Sequence, residues 1–155
     1  MIAALDISGV PADRLTLEIT ENLLIRDTFE IARIMGILAD RGVRFSVDDF
    51  GTGYSSLHYL RQLPIHEIKI DRGFIGQVPD DASSVAIVEA ILAMARRLDL
   101  DVVAEGVETP EHVAFLKARG CPRMQGYFFA CPISVSEWLE RSAHTPDAGV
   151  ANARR

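Results

Sequence analysis

Cysteine is scarce in this chain, and with it the means for a disulfide framework or a zinc site. Cys121 and Cys131 are the two cysteines in 155 residues. They form no C-x-x-C pair and have no histidine cluster near them, so the reading is two reduced, partly buried thiols. His58, His66, His112 and His144 make no H-x-H or H-x-x-x-H pair, and none stands out as a ligand. Positive charge is not in surplus either. The net charge of −6 argues against a nucleic-acid-binding surface. No apolar run approaches the length of a membrane span. The segment Met1 to Val10 is interrupted by Asp6 and lacks a basic n-region, unlike a signal peptide. The expected location is therefore the cytoplasm, with a longer parent chain free to be anchored elsewhere.

What is present is an ordinary globular composition, 48% hydrophobic and 25% charged. The length suits one domain with a real core. An acidic protein that handles phosphates would need metal ions to mediate the contact.

Strand and helix alternate from end to end. Residues 2–8 read as the last turns of a helix stopped by Gly9-Val10-Pro11. Leu15 to Thr20 has period two, with Leu15, Leu17 and Ile19 on one face and Thr16, Glu18 and Thr20 on the other. Asp27 and Glu30 form a capping box for a helix with the stripe Ile31, Ile34, Met35 and Leu38, ended by Gly42. Strands are expected at Val43–Val47, Ile65–Ile70, Asp101–Ala104 and Arg123–Phe128. Ser55 or Ser56 opens a short helix that Pro64 stops. Ser83 or Ser84 caps the longest helix, with Val85, Val88, Ile91, Leu92, Ala95 and Leu98 as its stripe. Thr109 and Pro110 start the next helix, which buries Val113 and Leu116 and ends at Gly120. A last short helix packs Trp138 onto the body. One domain is expected over 1–141, and 142–155 reads as a flexible tail.

Five polar motifs sit where these strands end. They are Glu18-Ile-Thr-Glu21, Asp48-Asp49-Phe50-Gly51-Thr52-Gly53-Tyr54-Ser55-Ser56, Ile68-Lys69-Ile70-Asp71, Ala104-Glu105-Gly106-Val107-Glu108-Thr109 and Gln125-Gly126-Tyr127. Parallel barrels keep their chemistry at strand C-termini. The successive intervals Glu18–Asp48, Asp48–Lys69, Lys69–Glu105 and Glu105–Gln125 are 30, 21, 36 and 20 residues. A barrel of eight units averages roughly 31 residues per unit. The expected fold is α/β: a partial TIM-like barrel of about five βα units of eight. It would be an open parallel sheet with helices on its outer face. A doubly wound sheet is the rival, but it concentrates chemistry at one switch point.

Adjacent carboxylates such as Asp48 and Asp49 repel unless something positive neutralises them. Both can face one site only if the backbone turns there, which Gly51 and Gly53 permit. Carboxylates at one rim with one lysine suggest hard divalent cations acting on a phosphate ester. Taken alone, the pair also suits an Asp-rich turn capping a helix. The glycines match neither a P-loop nor a dinucleotide fingerprint. Glu21 falls just past its strand, where a solvated loop or helix entry would equally hold it. Lys69 lies between Ile68 and Ile70 and is costly to bury unless paired; an edge-strand or surface lysine is the alternative. Glu105 closes a buried strand. Gln125 can orient but cannot move a proton near neutral pH.

Together these motifs resemble the EAL domain family, phosphodiesterases that hydrolyse the bacterial second messenger cyclic di-GMP. The resemblance runs from about residue 1 to about residue 141, and the Asp48–Ser56 motif makes it specific. It implies a TIM-like barrel and a two-metal site loaded with Mg²⁺ or Mn²⁺. By resemblance Glu18, Asp48 and Asp49 are metal ligands, and Glu105 serves the metal–water site or acts as general base. Lys69 holds the water, Glu21 steadies the Asp48–Ser56 loop, and Gln125 lies near the metals. The implied reaction opens the cyclic dinucleotide to linear pGpG.

The departures are equally informative. The Glu-Ala-Leu signature occurs nowhere in the chain, and the strand with the family's asparagine ligand is not found. Pro122 stands where family members often have aspartate. The expectation is a C-terminal part of such a domain, weak or inactive alone. It would associate with itself through exposed strand edges, and its parent would carry upstream sensory or diguanylate cyclase-like domains. Two alternatives stay open: a module that binds cyclic di-GMP or a partner without hydrolysis, and an unrelated metal-dependent barrel enzyme.

Overall fold

The structure is a computed structural model, and it describes residues 2–21, 28–53, 60 and 62–144. Five parallel strands form one open sheet in the order β1-β2-β3-β4-β5. They are β1 Thr16–Thr20, β2 Arg44–Phe50, β3 Glu67–Ile70, β4 Asp101–Ala104 and β5 Arg123–Met124. The order follows the sequence, as successive right-handed βα units require. Helices α1 Ile2–Ser8, α2 Thr28–Ala39, α3 Arg72–Ile75, α4 Ala82–Leu98, α5 Pro110–Ala118 and α6 Val135–His144, with a 3-10 turn at Ala12–Arg14, complete the described elements.

One face of the sheet is apolar and covered. Phe45, Val47, Ile68, Ile70 and Val102 pack there with Val88, Leu92 and Ala95 of α4 and with Leu116 of α5. Burying such side chains contributes on the order of 1.5–3 kcal/mol each. Period two then forces the alternate residues onto the other face. These include Thr16, Glu18, Ser46, Asp48, Glu67, Lys69 and Asp101. Val103 of β4 interrupts an otherwise polar face.

At the strand N-termini the polar face is stitched by ion pairs. Arg44 meets Asp101 at 2.8 Å, and Arg123 meets Glu67 at 2.8 Å and Asp101 at 3.2 Å. β2 carries an irregularity further up. Its register against β3 shifts between Val47 and Phe50, the stretch that holds Asp48 and Asp49. Asp49 has φ +53°. This bulge is the backbone turn that lets two neighbouring carboxylates approach one region instead of opposite faces.

Several elements differ from the sequence expectation, each for a local reason. The cap of α4 is Asp81, whose carboxylate accepts from the Ser84 N–H at 2.7 Å, so the helix starts earlier than Ser83. Asp71 caps the short α3, which the pattern did not suggest, by accepting from the Gly73 N–H. β5 stops at Met124 instead of Phe128. Beyond it the Phe128 N–H bonds to the Val107 carbonyl and the Phe129 N–H turns back to Gly126. Ile34 is exposed on α2, while Met35 and Leu38 are buried as expected. Phe115 is buried on α5 and Val113 only partly. Trp138 is 58% exposed, less deeply buried than expected. The expected capping box at Asp27, the helix opening at Ser55 or Ser56, and the tail beyond His144 lie outside the described residues.

Candidate active site

Glu18, Asp48, Lys69 and Glu105 converge at the C-terminal ends of β1 to β4. Lys69 Nζ lies 2.7 Å from Glu105 Oε1, 3.0 Å from Glu18 Oε2 and 3.1 Å from Asp48 Oδ1. β3 is a central strand, so its lysine is flanked by β2 and β4 and its side chain is only 9% exposed. Burial alone would pull the Lys69 ammonium down. Glu105, Glu18 and Asp48 outweigh that and hold it above the ordinary lysine range. The lysine is therefore a fixed positive charge at the centre of the rim.

The negative charge exceeds it. Asp48, Asp49 and Glu105 offer carboxylate oxygens that all lie within 4.8 Å of one another. Partial desolvation pushes the Asp49 carboxyl up from its usual range, and the charges of Asp48 and Asp71 push it the same way. Asp48 Oδ1 is buried and, apart from its ion pair with Lys69, has no hydrogen-bond donor aligned on it among the described residues. A buried, under-satisfied carboxylate oxygen beside two further carboxylates fits a hard divalent cation, which prefers oxygen ligands. Asp48, Asp49 and Glu105 are the residues best placed to hold one.

Glu21 sits behind this group and is buried. Its Oε2 accepts from the Gly51 N–H at 3.1 Å and from the Gly53 N–H at 3.3 Å, so a charge from the end of β1 holds the loop that follows β2. Gln125, just past β5, lines a cavity of about 190 Å³ together with Glu105. All seven residues singled out from the sequence thus lie at the same end of the sheet. Asp71 stands in one of the five motifs and lies close enough for its charge to push the Asp49 carboxyl up. A carboxylate just past the end of β3, two positions after the buried lysine, was the signal that could have found it.

Cys121 is buried, with burial pushing its thiol up, and Cys131 is exposed. His66 Nδ1 accepts from the Phe45 N–H, and His112 Nδ1 from the Glu108 N–H.

The family model described as "EAL domain" matches residues 1–132. The chain belongs to the EAL domain family. A cyclic di-GMP phosphodiesterase of Pseudomonas aeruginosa, NbdA, is 46% identical over 133 residues, which are 86% of this chain and 17% of that protein. Among solved EAL structures, the c-di-GMP complex of the PaMucR phosphodiesterase superposes with a TM-score of 0.84 at 44% identity. It covers 89% of this chain, and the match takes up 56% of that one. The manganese and cyclic di-GMP complex of Klebsiella pneumoniae BlrP1 gives a TM-score of 0.79 at 30% identity, over 84% of this chain and 33% of that one. The five-stranded open sheet is thus part of an EAL-type barrel. The chain spans less than a fifth of the length of NbdA and about half of the PaMucR chain. Among the described residues, no helix is long and apolar enough to cross a membrane.

Proposed function

We propose that this chain supplies the C-terminal catalytic rim of a metal-dependent phosphodiesterase that opens cyclic di-GMP to linear pGpG. One observation carries the reading: Lys69 is buried among three carboxylates at the same strand ends where Asp48, Asp49 and Glu105 gather oxygen ligands. Asp48, Asp49 and Glu105 would hold Mg²⁺ or Mn²⁺, with Glu18 reaching the same group from β1. Divalent cations bound there supply Lewis acidity toward a phosphoryl oxygen and toward an attacking water.

The protein groups do the rest. Lys69 keeps its proton, so it can orient a water through donated hydrogen bonds but cannot remove a proton from it. Glu105, held at 2.7 Å by Lys69, is the carboxylate in position to accept one. Glu21 fixes the loop after β2 and so the direction of Asp48 and Asp49. Gln125 orients substrate from the side of β5.

The 155-residue chain by itself is expected to turn over slowly or not at all, since it contains no Glu-Ala-Leu sequence. β1 and β5 are the edges of the sheet, and exposed edges pair with other chains. Self-association is therefore expected, and so is a parent with further domains, sensory or cyclase-like. The absence of Glu-Ala-Leu also supports a second reading, in which the rim binds cyclic di-GMP without hydrolysis. Light scattering, dinucleotide binding and a manganese-dependent hydrolysis assay on the same sample separate these. Binding without turnover selects the second reading. A stable monomer with the turnover of a complete domain ends the expectation of weak activity and association. Failure to bind any guanine dinucleotide, with manganese binding retained, rejects both readings.

A further inference from the structure

Among the described residues, two buried side-chain oxygens have no hydrogen-bond partner, Ser46 Oγ and Asp48 Oδ1. They belong to one strand, two residues apart, on the polar face of β2. Asp48 Oδ1 has its ion pair with Lys69 at 3.1 Å, whereas Ser46 Oγ has none. Ser46 is 0% exposed, so bulk solvent does not reach it either. An enclosed hydroxyl that bonds to nothing is costly and calls for an explanation.

The neighbours of Ser46 are committed elsewhere. In register it lies between Glu18 of β1 and Glu67 of β3. Glu18 is drawn to Lys69 at 3.0 Å and Glu67 to Arg123 at 2.8 Å. Lys69 cannot help, because its three N–H donors match its three carboxylates, Glu18, Asp48 and Glu105. Two oxygens on one strand face are left, a hydroxyl that can donate and a carboxylate that can accept. One water molecule suits such a pair, since a buried water makes about two to four hydrogen bonds to polar groups that lack other partners.

We infer that Ser46 is a positioning residue for Asp48, acting through a buried water that accepts from the Ser46 hydroxyl and donates to Asp48 Oδ1. The inference rests on the function proposed above and adds a residue from outside the five rim motifs. A carboxylate has about four lone-pair sites. On Asp48, Lys69 takes one and the water a second, which leaves the others for a cation. Held from two directions, the carboxylate does not turn about its Cβ–Cγ bond, and a cation meets it already oriented. Groups one step removed from a metal commonly fix its ligands in this way. The chain from hydroxyl to water to carboxylate also points its hydrogens toward the rim, the direction that surplus negative charge favours.

The test is manganese binding to the full chain by calorimetry, for the wild type and Ser46→Ala, with urea unfolding of both in chelator and a crystal structure of the metal-free wild type. Ser46→Ala removes the hydroxyl and adds no bulk. It should weaken manganese binding by about 10- to 100-fold, the range for losing a group that orients a metal ligand. The urea midpoint in chelator should not fall, because the variant also removes a buried hydroxyl that no side chain satisfies. The crystal structure should show one water within about 3.2 Å of both Ser46 Oγ and Asp48 Oδ1. Unchanged manganese affinity in Ser46→Ala overturns the assignment. So does a loss of affinity matched by a lower urea midpoint, which marks damage to the fold, and so does a dry site between the two oxygens. A wild type that binds no manganese overturns the proposed function, and the role of Ser46 with it.

Discussion

The two ends of the polar sheet face are built from the same residue types and do opposite things with them. At the strand N-termini, Arg44 and Arg123 meet Glu67 and Asp101, two cations against two carboxylates. At the C-termini, one ammonium meets Glu18, Asp48 and Glu105, with Asp49 adjacent. The first set is closed: each charge has its counterpart within the chain. The second is left negative, and folding cannot cure that with the residues available. Balanced ion pairs on a sheet face serve stability, whereas a surplus of one sign on a concave rim calls for ions from solution. The difference also follows the fold, since parallel barrels keep stability at one end and chemistry at the other.

The largest effect should come from the surplus end. In any form of the protein that turns over cyclic di-GMP, Asp48→Asn should lower the rate by about 10²–10³-fold or more. The amide keeps the shape and loses the charge, and pGpG formation followed by chromatography reads the loss. Near-normal turnover would break the contrast between the two ends at its strongest point.

Lys69→Met comes next. It leaves Asp48 and Glu105 facing each other without the charge that compensates them. Urea unfolding in chelator should show a loss of roughly 3 kcal/mol, the range for breaking one partner out of a buried pair. A loss below about 1 kcal/mol would mean that the rim is as well screened as the opposite end.

The pH dependence sharpens this. The folded Lys69 ammonium is held above the ordinary lysine range by its carboxylates. Its contribution is therefore fully present below the unfolded lysine pKa of about 10.4. It is lost only as pH rises from there through the higher folded value. The stability gap between wild type and Lys69→Met should stay flat from about pH 7 to 10. A gap that closes between pH 7 and 9 would show that the lysine is not held charged.

How much of this was legible beforehand depends on what each residue must pay locally. Lys69 was readable because an ammonium between two isoleucines on a buried strand has to find partners. Asp48 and Asp49 were readable for the same reason, though the bulge that turns Asp49 toward its neighbour was not. Arg44, Glu67, Asp101 and Arg123 escaped notice because each begins its strand, where a charge is unremarkable until register places four of them side by side. Ile34 and Trp138 show the opposite limit. Helical periodicity says which side of a helix is apolar, not how deeply that side is buried. β5 was drawn too long because its β-rich composition hid the point where Gly126 meets Val107.

The smallest effect belongs to the balanced end. Arg123→Met removes contacts to Glu67 and Asp101, but the arginine is half exposed. Solvent takes up most of the change, and the cost should stay below about 1 kcal/mol by urea unfolding. Activity should be untouched. A loss comparable with that of Lys69→Met would erase the distinction between the ends.

The ammonium at the centre of the rim has one more consequence, for the order of events. It acts as a resident placeholder: three carboxylates from three other strand ends are gathered around it. Loading a divalent cation then means exchanging neighbours within an assembled ring. On the function proposed, cations and ligand would meet carboxylates that the lysine already draws to one point.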